Sequence, residues 1–213
     1  MNVKICGLKT KETARAALEA GADFIGLVFF PKSPRHLTLE QAKELSLFIK
    51  EQSASAKVVA LVVNPIDEDL KTIIEEVQPD YIQLHGSETP ERVSEIATRF
   101  NTPLIKAIGI KDAGDAAKAD DYSTADIILF DAKADPKLTD LPGGNGIPFD
   151  WEALKGQKEK RRFMLSGGLT VDNVATAIEL TGAAIVDVSS GVESTSGVKD
   201  ISLIEAFITA AKK

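Results

Sequence analysis

The chain's chemistry rests on a few residues standing where short apolar runs give way to loops. Cys6, the only cysteine, closes the run Val3–Ile5. A thiol with a reference pKa of ~8.5 can abstract a proton once ionised, and it can equally be a small buried filler, since free cysteine is among the most buried residue types. Asp131 follows the run Asp126–Phe130 and reads as a proton donor or as a turn carboxylate. His85 ends Tyr81–Leu84 and reads as a catalytic or a hydrogen-bonded strand-end histidine. Arg35 lies in the polar loop Pro31-Lys32-Ser33-Pro34-Arg35-His36, free to be solvated or to fork onto a carboxylate. Ser166-Gly167-Gly168 and Ser189-Ser190-Gly191 each follow an apolar run. Such turns are either tight reversals or, with the backbone N–H groups and dipole of a helix N-terminus, an anion cradle. Gly143–Gly146, in a loop with Pro136, Pro142 and Pro148, reads as a flexible connection or a mobile lid, with Trp151 as its hydrophobic anchor.

Positioning these groups falls to elements that alternate along the whole chain. Short β-branched and aromatic runs at Val3–Cys6, Phe24–Phe29, Lys57–Val63, Tyr81–Leu84, Leu104–Ile108, Asp126–Phe130, Arg162–Leu165 and Ala184–Val188 read as strands. Between them lie helical patterns, for example Lys11–Ala20, Asp67–Val77, Asp112–Ala119 and Ile201–Ala211, with a brief helix at Trp151–Leu154. Thr38 and Gln41 form a capping box for a helix reaching about Lys50, and Thr89-Pro90 opens another. Helix-to-strand returns resemble one another: Ala20-Gly21-Ala22-Asp23, Val77-Gln78-Pro79-Asp80, Thr181-Gly182-Ala183-Ala184. Strict β/α alternation predicts a parallel sheet covered by helices. Eight units without a composition break predict an α/β chain of the (β/α)8 TIM-barrel type, a single domain over residues 1–213. A doubly wound sheet would also alternate, but Cys6-Gly7-Leu8-Lys9 lacks the Gly-x-Gly-x-x-Gly turn of that architecture.

A barrel gathers the residues after each strand on one rim, where active sites of this fold lie. Strand alternation predicts that Lys4, Cys6, Gln83, His85, Lys106, Asp131 and Asp187 point inward, with Lys4 and Asp187 able to pair across the seam of the first and last strands. A polar inner ring is unfavourable unless its members pair. Lys4 and Lys106 read as structural ion-pair partners rather than catalysts. A phosphate held by the last two glycine turns and a carboxylate held by Arg35 describe a long dianionic substrate lying across the mouth.

Charge and composition exclude other classes. The 213 residues are 44% hydrophobic and 27% charged, with a formal net charge of −7, so there is no basic footprint for nucleic acid or anionic membrane. One cysteine makes no internal disulfide, in keeping with a reducing compartment, and no apolar run suits a membrane span or leader. A cytoplasmic chain is expected.

Lys4-Ile5-Cys6-Gly7, Gly21-Ala22-Asp23 with Phe24–Phe30, Pro31-Lys32-Ser33-Pro34-Arg35, Gln83-Leu84-His85-Gly86 and Leu129-Phe130-Asp131 form a family pattern. It continues through Gly143-Gly144-Asn145-Gly146 with Phe149-Asp150-Trp151, Leu165-Ser166-Gly167-Gly168-Leu169 and Asp187-Val188-Ser189-Ser190-Gly191-Val192-Glu193. In this order, through all eight units, the chain resembles phosphoribosylanthranilate isomerase. The resemblance implies an Amadori rearrangement of N-(5-phosphoribosyl)anthranilate to 1-(2-carboxyphenylamino)-1-deoxyribulose 5-phosphate in tryptophan biosynthesis, by a monomer or homodimer without metal or cofactor. It puts the general base on Cys6, the general acid on Asp131 and the anthranilate carboxylate on Arg35. Substrate contacts are expected at His85, Asp187, Gly144, Gly146, Gly167, Gly168, Ser190 and Gly191. Two places depart from the pattern: Gly146-Ile147-Pro148, where Gly-Lys or Gly-Thr is common, and Thr195-Ser196-Gly197, where Pro-Gly is usual. Both are expected on the loop periphery. Other readings are a histidine-pathway type of phosphosugar isomerase, for which paired aspartates would be expected, an indole-glycerol-phosphate synthase with a Lys–Glu set, and a non-catalytic barrel binding a phosphorylated ligand.

Overall fold

The computed structural model describes residues 1–133 and 149–213. Eight strands, β1 (Asn2–Cys6), β2 (Phe24–Val28), β3 (Lys57–Val62), β4 (Tyr81–Leu84), β5 (Leu104–Ile110), β6 (Ile127–Ala132), β7 (Phe163–Leu165) and β8 (Ile185–Val188), pair in chain order, and β8 returns to β1 to close a parallel barrel. Outside it run α1 (Lys11–Glu19), α2 (Leu39–Gln52), α3 (Asp67–Val77), α4 (Pro90–Phe100), α5 (Ala113–Ala117), α6 (Gln157–Lys160), α7 (Val174–Thr181) and α8 (Ile201–Ala211). The Thr38–Gln41 capping box and the Pro90 first turn are both present. Trp151–Leu154 is a single 3-10 turn, and the helix expected over Asp112–Ala119 is α5 followed by a 3-10 turn ending at Asp121. The elements not foreseen are α6, a 3-10 turn at Ser190–Val192, and a hairpin of β9 (Glu193–Thr195) and β10 (Val198–Lys199) between β8 and α8.

Alternation divides the side chains as a barrel requires. Phe24, Val59, Ile105, Ala107, Leu129, Met164 and Ile185 fill the interior, while Val3, Ile5, Ile128, Phe130, Val186 and Val188 belong to the layer between barrel and helices. Lys106 lies on that outer face, which corrects the expected inward orientation. Its neighbours Ile105 and Ala107 take the interior, and its ammonium reaches Glu88 Oε2 at 2.8 Å and the Gly86 carbonyl at 2.8 Å. Glu88 is thus the carboxylate partner that the sequence reading lacked.

At the end where the strands begin, the helix-to-strand returns share a device. Asp23, Asp80 and Asp126 each accept the backbone N–H of the preceding strand, from Val3, Val58 and Leu104, at 2.8 Å in all three cases. An aspartate directly before an even-numbered strand therefore ties down the start of the odd-numbered one. Ala184 holds the matching register before β8, since Met164 pairs with Ile185 just as Lys4 pairs with Phe24.

Candidate active site

At the other end the strand termini surround one cavity, with about 670 Å³ of empty space counted out to its open side. Cys6 of β1 and Asp131 of β6 both line it, and both are buried. Arg35, His85 and Asp187 line it too, as do the turns holding Gly167, Gly168, Ser190 and Gly191. Gly144 and Gly146 lie outside the described residues.

Three buried polar groupings organise this rim. The first is the seam pair: Lys4 Nζ donates to Asp187 Oδ1 at 3.0 Å, and both side chains are sealed from solvent. This is the expected partnership, so Asp187 faces the cavity while already holding a cation. Burial opposes the charge on Lys4, but Asp187 outweighs it and pushes the ammonium's pKa up. For Cys6 itself burial is the leading influence and raises the thiol above its ordinary value, with Lys4 opposing and Asp187 adding to the rise. The resting thiol is therefore protonated at neutral pH.

The second grouping joins the loop after β2 to the hairpin. Arg35 Nε and Nη2 donate to the two carboxylate oxygens of Glu193, at 2.7 and 2.9 Å. Lys199 Nζ and the Gly197 amide add bonds at 2.8 and 3.0 Å. Burial tends to raise the Glu193 carboxyl, yet Arg35 and Lys199 hold it down to about 2. The side-on fork of Arg35 is thus spoken for, which corrects the free fork expected from sequence, and only the remaining Nη edge is open. The Thr195-Ser196-Gly197 turn belongs to this support and is not peripheral. Gly7, at φ +79°, lets the arginine stem lie across the β1 terminus, because a Cβ there would meet Arg35 Cδ at 2.7 Å.

The third grouping surrounds Asp131. Asp131 Oδ2 contacts His85 Nε2 at 3.1 Å, and Oδ1 accepts the Ala132 amide at 2.8 Å. His85 Nδ1 in turn meets Gln83 Nε2 at 2.8 Å. Gly167 makes room for this carboxyl: at φ +89°, a Cβ there would come within 2.5 Å of the Ala132 nitrogen and 3.1 Å of Asp131 Oδ1. Among the described residues, the amides of Gly167, Gly168, Ser190 and Gly191 meet no acceptor, leaving four donors turned to one side of the mouth. On the opposite side Val28, Phe30, Leu61 and Val63 form an apolar wall beside Arg35. That wall and Glu193's grip on Arg35 went unassigned in the sequence, although Glu193 stands in the quoted Ser-Ser-Gly-Val-Glu run.

Fold and site together define a (β/α)8-barrel enzyme whose strand-end cavity carries a thiol, a carboxyl, an arginine and a bank of open amides. A family model described as N-(5'-phosphoribosyl)anthranilate (PRA) isomerase matches residues 3–210, and the chain belongs to that family. It is 52% identical over 213 residues to the N-(5'-phosphoribosyl)anthranilate isomerase of Cereibacter sphaeroides, covering 100% of this chain and 99% of the relative. It is also 52% identical to the protein of that name from Rhodopseudomonas palustris, covering 100% and 96%. Among solved structures, the phosphoribosyl anthranilate isomerase of Thermotoga maritima superposes with a TM-score of 0.88 at 37% identity, covering 100% of this chain and 98% of that one. Another such isomerase, in complex with reduced 1-(o-carboxyphenylamino)-1-deoxyribulose 5-phosphate, gives a TM-score of 0.85 at 36% identity, again over 100% and 98%. No helix among the described residues is long and apolar enough to cross a membrane.

Proposed function

We propose that this chain carries out the reaction for which its family is named with Cys6 as general base and Asp131 as general acid. The reaction is the Amadori isomerisation of N-(5'-phosphoribosyl)anthranilate to 1-(2-carboxyphenylamino)-1-deoxyribulose 5-phosphate, in tryptophan biosynthesis. The observation carrying the assignment is that one cavity brings together a thiol, a carboxyl three strands away round the ring, an apolar wall beside an arginine, and a bank of open amides.

The open amides take the phosphate, as oriented N–H donors can without lysines. The anthranilate ring lies on Val28, Phe30, Leu61 and Val63, its carboxylate on the Nη edge of Arg35. Asp131 gives its proton to the furanose ring oxygen as the C1'–O bond breaks, and the nitrogen lone pair closes the C1'=N iminium. The iminium acidifies the C2' hydrogen, Cys6 removes it as the electrons move towards nitrogen, and the enaminol so formed tautomerises to the 2-keto sugar. The positive iminium next to the thiol counters the burial that holds Cys6 protonated at rest, so the thiol gives up its own proton to solvent through the open mouth before the thiolate takes the C2' proton. In this reading residues 1–213 act as one domain, because base and phosphate cradle come from opposite ends of the chain. The lone thiol has no disulfide partner in the sequence, which supports a reducing compartment such as the cytoplasm.

The test is a fluorescence assay following consumption of the anthranilate derivative by purified protein. Turnover is expected, and binding without turnover would favour the regulatory barrel instead.

A further inference from the structure

From the geometry behind Asp131 we infer that Gln83 is a positioning residue that sets the tautomer of His85, and through it whether the acid is held loaded or spent. The inference rests on the reading of Asp131 as the general acid.

A neutral imidazole has one N–H and one acceptor nitrogen, so its two hydrogen bonds must run in the same sense. His85 makes two such contacts, to Gln83 at Nδ1 and to Asp131 at Nε2. With the Gln83 NH2 group towards Nδ1, the proton sits on Nε2 and is donated to Asp131 Oδ2. Asp131 Oδ1 already accepts the Ala132 amide, so the carboxyl is then an all-acceptor group, the ionised acid after it has given up its proton. With the amide rotated, Gln83 Oε1 accepts from Nδ1–H, and the lone pair on Nε2 accepts a hydrogen bond from the O–H of a neutral Asp131, the loaded acid, which turns that O–H to the ring oxygen when substrate arrives. One side chain therefore matches each state of the acid, and the imidazole stays uncharged in both.

What points to rotation is the far side of the amide. Gln83 is fully buried, yet its Oε1 has no hydrogen-bond partner among the described residues. An amide anchored at both ends would be committed to one orientation, whereas this one forms its single bond either way. The other ionisable groups around the relay are spoken for. Lys4 of β1 is paired with Asp187 of β8, Arg35 with Glu193, and Lys106 lies on the outer face with Glu88, which leaves Cys6 as the remaining neighbour on the cavity wall.

The chain has two histidines, His36 and His85, so ring nitrogens can be followed by 15N NMR across pH with His36→Gln for assignment. The wild type is expected to change from one neutral tautomer of His85 to the other as the acid loses its proton, and Asp131→Asn to hold a single tautomer. Gln83→Glu, which can only accept, is expected to put protons on both ring nitrogens at neutral pH and to lower kcat about tenfold or more with KM little changed. Gln83→Met, lacking both donor and acceptor, should keep neutral His85 and lose less. The proposal is overturned if wild-type His85 shows one tautomer throughout, or if Gln83→Glu turns over within twofold of wild type. It is equally overturned if the Glu and Met variants lose activity only in step with melting temperature. Failure of the acid assignment shows up separately, as an active Asp131→Asn enzyme.

Discussion

Where the strands begin, Asp23, Asp80 and Asp126 each spend a carboxylate oxygen on a backbone N–H. Where they end, Asp131 and Asp187 point into the barrel and meet side chains: a histidine that can tautomerise and a buried lysine. Asp23 and Asp80 also pair with the partly exposed Lys212 and Lys57, at 3.0 and 3.1 Å, whereas the side chains that Asp131 and Asp187 meet are buried, so the residue type is the same but the partners differ in what they can exchange with the site. A backbone amide has no second protonation state, so a carboxylate bound to it serves as a permanent acceptor and contributes stability. A side-chain partner can hand a proton on or receive one, at the expense of burying a group whose pairing must be exact enough to repay its desolvation. The barrel separates the two uses by its full height, so each can be altered with little effect on the other.

That separation can be broken by experiment. Asp131→Asn and Cys6→Ala are expected to reduce kcat by ~10²–10⁴, the usual contribution of a positioned acid or base, with melting temperatures close to wild type. Near-wild-type turnover from either would remove it from the mechanism. Alkylation of Cys6 by iodoacetamide should climb about tenfold per pH unit up to at least pH 9, because burial holds the thiol above its ordinary value. A plateau near neutrality would show instead a stabilised resting thiolate. Arg35→Met should raise KM ~10–100-fold, the loss of a charged hydrogen bond of ~1.5–3 kcal/mol, and a change confined to kcat would argue against carboxylate binding. At the opposite end, Asp80→Ala should cost about 1–3 kcal/mol and several degrees of melting temperature while kcat stays within twofold. A large kcat loss there would mean that the two ends are coupled. The smallest change sharpens the contrast. Ala184→Asp supplies the missing fourth carboxylate opposite β7 and should raise stability by up to ~1 kcal/mol in thermal melts, at unchanged activity.

The sequence made the alternation, the barrel and most of the rim legible because each depends on short-range pattern. Thr38 and Gln41 lie three residues apart and cap one helix, and the inward set Lys4, Cys6, Gln83, His85, Asp131 and Asp187 follows from period-two alternation. Lys106 escaped that logic because β5 is apolar on both faces, Leu104 and Ile108 against Ile105 and Ala107, so its alternation carries no sign. Its side is decided by Glu88, which reaches it from the loop after β4. Arg35 and Glu193 are 158 residues apart, and the hairpin that presents Glu193 has strands of three and two residues, too short to leave a periodic signature. What went unseen was long-range and polar: pairings whose partners are brought together only by closure of the barrel.

One such pairing has a consequence for how the chain is made. Lys4 and Asp187 are separated by 183 residues, so on a ribosome adding ~5–20 residues per second the amino end waits on the order of ten to forty seconds for its counter-ion to emerge. Until then a lysine destined for full burial has no carboxylate to meet, and sealing it away unpaired would be strongly unfavourable. The first strand is thereby discouraged from settling prematurely into a partial barrel, and its insertion is timed to the arrival of the last.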